Sequence, residues 1–153
     1  MAVSAETIKA YFEQYGWNFE RLDENCFLTG VHSDVTGVFS IYVTLTPNWV
    51  YFAITPFVKA PSDVECERKL YKHLLRLCHR INLAKFSVDA HGDVIMTVEL
   101  PRENLDFSEF SDALGALSYY AEETYLEVHA LASDSQAVSS FSQEEDLDWG
   151  EEF

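Results

Sequence analysis

The side chains of this 153-residue chain that could do chemistry are five histidines, three cysteines and an excess of carboxylates. Structural zinc takes four Cys or His ligands, often in paired spacings. No CxxC, HxxxH or HExxH occurs. Cys66 and His73 lie seven apart and could share a helix face, whereas Cys78 and His79 diverge by about 100° on a helix. Neither arrangement makes a ligand set, so no metal and no cofactor is expected. Residues 30–37 bring His32, Ser33 and Asp34 together. A nucleophile elbow needs GxSxG on a strand-to-helix turn, so a polar hairpin loop is the plainer reading. Nucleotide cradles need GxxxxGK[ST] or GxGxxG, and neither is present among only six glycines. Glu123 and Glu127 are four apart, but acid–base work requires a shielded site that shifts one pKa. On a helix rich in acids they read as a solvated face. No catalytic residue is expected, and the chain reads as a non-enzyme.

The remaining candidates suit recognition. Lys69, Lys72, Arg76 and Arg80 recur at spacings of three and four, and seven of the ten basic residues lie between Lys59 and Lys85. They make one positive surface on a negative protein. Tyr119 and Tyr120 are adjacent on a helix, so both cannot face the core. One of them presents its ring to solvent or to a partner, as tyrosine does at half-wet interfaces, with packing in the core or at a sheet edge as the plainer alternative. Phe141, Leu147, Trp149 and Phe153 sit among carboxylates near the C-terminus, as large apolar anchors do in segments that dock on a partner. The same acidic segment could instead lie over the chain's own basic helix until a partner displaces it.

The elements that position these residues follow from periodicity. Ser4 is placed to cap a first helix whose apolar side carries Ile8, Tyr11, Phe12 and Tyr15, with Gly16 as its stop. Residues 26–31 are short and β-prone. Phe39, Ile41, Val43 and Leu45 alternate with polar positions, and after a turn at Thr46-Pro47-Asn48 so do Val50, Phe52 and Ile54. Together they predict an antiparallel hairpin. A second helix opens at Pro61-Ser62-Asp63 and runs to about Asn82, with Leu70, Tyr71, Leu74, Leu77, Cys78 and Ile81 inward. A second hairpin turns at Ala90-His91-Gly92-Asp93 and ends at Pro101. Ser108 is placed to cap a third helix with a stripe of Phe110, Ala113, Leu114, Leu117, Ala121, Tyr125 and Val128, running to about Leu131. The order α-β-β-β-α-β-β-α predicts an α+β fold, a single antiparallel sheet with packed helices.

Residues 1–132 read as one domain and 133–153 as an acidic, flexible tail with seven acids and no base. The formal charge of −16 opposes phosphate binding, so no nucleic acid partner is expected, though mimicry of nucleic acid toward a basic protein is a weaker alternative. No apolar run reaches the roughly 18–20 residues of a membrane span. The first residues lack a basic stretch followed by an apolar one, so no secretory signal is expected. Three cysteines fit free thiols in a reducing, cytoplasmic setting.

Several residues carry a resemblance. Leu74 with Arg80-Ile81-Asn82, Lys85-Phe86, Asp89-Ala90-His91-Gly92-Asp93-Val94 and Leu100-Pro101 resemble the YbjN-like family, over about residues 4–131. Where the family often has leucine before the asparagine, this chain has Ile81. The resemblance implies the type III secretion chaperone-like fold, an often dimeric domain without catalytic residues, and a chaperone or adaptor that binds partner polypeptides. A small-molecule-binding or signalling regulator domain is the alternative it leaves open.

Overall fold

The computed structural model describes residues 1–143. Among them the order is α1 (Ala5–Tyr15), β1 (Phe19–Asp23), β2 (Cys26–Ser33), β3 (Gly37–Leu45), β4 (Trp49–Val58), α2 (Val64–Arg80), β5 (Lys85–Val88), β6 (Val94–Pro101), α3 (Phe107–Ser133) and a short 3-10 turn (Ser140–Gln143). One antiparallel sheet runs in the order β1-β2-β3-β4-β6-β5. The α+β class with a single antiparallel sheet is as expected, but one strand, β1, is additional. Four of its five residues are exposed, so it has no apolar face for alternation to reveal.

The helices all lie on one side of the sheet. In β3, Phe39, Ile41, Val43 and Leu45 are buried while Val38 and Ser40 are exposed. In β4, Val50, Phe52 and Ile54 are buried beside exposed Trp49 and Tyr51. That period-two burial marks a sheet with one dry face. Phe110 of α3 joins the layers, with its ring 5.7 Å from Phe52 and 5.0 Å from Phe12 of α1. The open face carries the cross-strand row Leu28, Tyr42, Ala53, Thr97 and Lys85.

Capping fixes the helix starts. Ser4 accepts from the Thr7 amide, and Gly16 ends α1 at φ 87°, a left-handed conformation glycine adopts without strain. Asp63 caps α2, its carboxylate accepting from the Cys66 amide at 2.8 Å. That bond holds the Asp63 carboxyl below its usual range. Asp106, rather than Ser108, caps α3 in a reciprocal capping box with Glu109.

At the β5 edge, the backbone amide of Phe86 donates to Cys78 Sγ at 3.2 Å, and the thiol faces the Phe86 carbonyl at 3.7 Å. A side chain from α2 therefore occupies both outward polar groups of that residue.

Candidate functional site

Helix α2 positions the candidate site because its two flanks are chemically different. Lys69, His73, Arg76 and Arg80, at spacings of three and four, form the flank that meets the segment after α3. Tyr71, Leu74, Leu75 and Cys78 form the other flank, beside β5.

On the first flank, Lys69 Nζ donates to three acceptors: the Asp134, Ser135 and Ala137 carbonyls at 3.1, 3.1 and 2.6 Å. An ammonium placed there also meets the negative end of α3. His73 is 1% exposed and shares a hydrogen bond between Nδ1 and Ser139 Oγ at 2.7 Å. Its Nε2 makes no hydrogen bond to a described residue and lies 3.5 Å from Glu127 Oε1. Burial pushes the imidazole pKa below its ordinary value, and the Glu127 carboxylate opposes that shift without cancelling it. Glu127 also accepts from the Ser140 amide at 2.8 Å and its hydroxyl at 3.1 Å.

Phe141 closes this flank. It is 9% exposed, with its ring 4.9 Å from the His73 ring and beneath the Arg76 and Arg80 guanidiniums at 5.3 and 4.8 Å. Cation–π attraction and burial act together there. Lys69, Lys72, His73, Arg76, Ser139 and Phe141 line a cleft of about 520 Å³.

The second flank is an apolar groove of about 480 Å³ between α2 and β5, lined by Tyr71, Leu74, Leu75, Cys78, Phe86 and Val88. Leu75 is 73% exposed. Burial raises the Tyr71 phenol pKa, with Glu67 adding to the rise.

The other candidates lie apart. Tyr119 projects from α3, 61% exposed, while half-buried Tyr120 accepts from the Asn82 amide at 3.2 Å. Leu147, Trp149 and Phe153 lie outside the described residues. His32 meets Asp34 at 3.3 Å in an exposed turn, and Ser33 donates to Glu122 of α3 at 2.6 Å instead. That tie holds the β2–β3 turn against the helix layer. Among the described residues no three His, Cys, Asp or Glu side chains converge to hold a metal, and no helix is long and apolar enough to cross a membrane. The three thiols are free.

Two features escaped the sequence reading: the burial of His73 and the seat it forms for Ser139 and Phe141. His73 falls between Leu70, Leu74 and Leu77 in helical spacing, which is the signal that places it inward.

No family model matches the sequence, and no curated protein matches it. Solved structures do match its fold. YbjN from E. coli superimposes with a TM-score of 0.58 at 15% identity, covering 81% of this chain and 94% of that one. A chain of the heterodimeric ExoU–SpcU complex from the type III secretion system of Pseudomonas aeruginosa gives 0.54 at 15% identity, over 82% and 97%. A chain of the ExsC–ExsE complex gives 0.55 at 16%, over 82% and 96%. Six antiparallel strands under three helices here adopt the type III secretion chaperone-like fold, in common with YbjN.

Proposed function

We propose that this protein is a non-enzymatic protein-binding module of the cytoplasm, a chaperone-like or assembly adaptor that takes a partner polypeptide on helix α2. The observation that carries this reading is the apolar groove between α2 and β5, where Leu75 stands exposed above Tyr71, Leu74 and Val88. Two chains of the same fold were solved as the complexes ExoU–SpcU and ExsC–ExsE, which supports a polypeptide as the occupant. Because Cys78 occupies the outward groups of Phe86, the groove takes apolar side chains rather than an added strand. Tyr119 and the basic flank of α2 are further contacts for the same partner, with Leu147, Trp149 and Phe153 as anchors supplied by the acidic C-terminal residues.

The test compares the full chain with its Leu75→Asp variant, which places a charge in the groove without touching the core. Each is offered native lysate, and light scattering follows each alone. A partner held by the full chain and lost by the variant supports the groove as the docking surface. A dimer that the variant dissociates assigns the groove to a second copy. Equal capture by both proteins, or none by either, overturns the reading.

A further inference from the structure

The segment after α3 is held on α2 in the manner of a bound peptide. It pairs with no strand of the sheet. Its grip consists of main-chain carbonyls at Lys69, one hydroxyl at His73, one backbone amide and hydroxyl at Glu127, and one aromatic ring between two guanidiniums. The domain supplies every partner of that grip from α2 and α3. The segment supplies little sequence information beyond Ser139, Ser140 and Phe141.

Charge extends the match. Lys72, Arg76 and Arg80 surround the point where Phe141 sits. Residues 144–153 of the sequence carry six acids: Glu144, Glu145, Asp146, Asp148, Glu151 and Glu152. The chain that seats an aromatic ring on this basic flank thus has, in its sequence, acids beginning three residues after that ring.

We propose that this flank of α2 is a peptide-docking site, occupied in cis by residues 137–142, and that it takes in trans a partner segment of the same chemistry. That segment carries a serine hydroxyl for His73, an aromatic ring two residues on for Arg76 and Arg80, and carboxylates beyond the ring. The proposal rests on the reading of the chain as a protein-binding module. It names a second site, separate from the apolar groove, and a built-in competitor that sets its threshold. A partner must exceed the local concentration of the tethered segment, which short linkage keeps in the millimolar range. Weak or incomplete matches are thereby refused.

The probe is a fluorescein-labelled synthetic peptide of residues 134–153, followed by fluorescence anisotropy at low salt. Wild-type full chain is compared with full-length Phe141→Ala, which removes the tethered anchor, and with the double variant Phe141→Ala/Arg80→Glu. Far-UV circular dichroism confirms that each is folded. The expected result is binding to Phe141→Ala roughly tenfold or more tighter than to wild type, lost in the double variant and weakened by salt. Equal binding to all three proteins places the peptide elsewhere and overturns the proposal. No binding to Phe141→Ala limits the flank to a structural contact and also overturns it. Neither failure alters the Leu75→Asp comparison, so the two readings fail separately.

Discussion

Replacing Lys69 by methionine keeps the aliphatic stem and removes the ammonium, which isolates its grip on the segment after α3. Three carbonyls accept from Nζ, but two of those bonds are solvent-exposed and exchange against water at little gain. The part-buried bond to Ala137 at 2.6 Å is the one that counts, at about 1.5 kcal/mol for a charged donor. A cation at a helix C-terminus adds about 0.5 kcal/mol. The sum of about 2 kcal/mol corresponds to roughly 30-fold in the opening equilibrium of the segment. Amide hydrogen exchange at fixed pH measures it directly. Protection of the Ala137, Ser140, Phe141 and Ser142 amides should fall by about that factor, while the amides of β3, β4 and β6 keep theirs. Unchanged protection in the segment would show that its contacts at Ser139, Ser140 and Phe141 hold it without Lys69. An equal loss throughout the sheet would show that Lys69 supports the whole fold, and either result refutes the reasoning.

Burial depresses the His73 pKa, so the docked state binds fewer protons than the released one. Its stability is present above the ordinary histidine value of about 6.5 and is lost as pH falls below it. NMR titration of the ring should give a pKa under that value, and Glu127→Gln should lower it further, since the carboxylate opposes the shift; a wild-type value at or above the ordinary one contradicts this. Asp106→Ala removes the capping box of α3 and should cost about 1 kcal/mol, a Tm decrease of about 2–4 °C in a domain of this size. Ser108→Ala, which touches no cap, should leave the calorimetric midpoint in place.

The parts of the fold legible in the sequence are those whose cause is local. Ile8 and Phe12, Phe39 to Leu45, and Phe110 to Val128 declare their buried faces by periodicity alone. β1 does not, because Glu20, Arg21, Leu22 and Asp23 all face solvent and the strand exists through its pairing with β2. The α3 cap was legible in principle, since Asp106 and Glu109 have the capping-box spacing, but Ser108 is an equally good cap residue by type. The basic stripe of α2 was visible as charge. Its use was not, because the seat for Phe141 is built by residues more than sixty positions earlier, and no local pattern joins Ser139 to His73 or Asp134 to Lys69.

An open sheet edge exposes unpaired amides and carbonyls, which template aggregation. At β5 that hazard is met by a sulfur atom. The Cys78 thiol is acceptor and donor at once for Phe86, a double role that an oxidised or alkylated sulfur no longer fills. The cover over Phe86 at that edge is thereby tied to the chemical state of one sulfur: oxidation or alkylation of Cys78 would leave the Phe86 amide and carbonyl open to another strand.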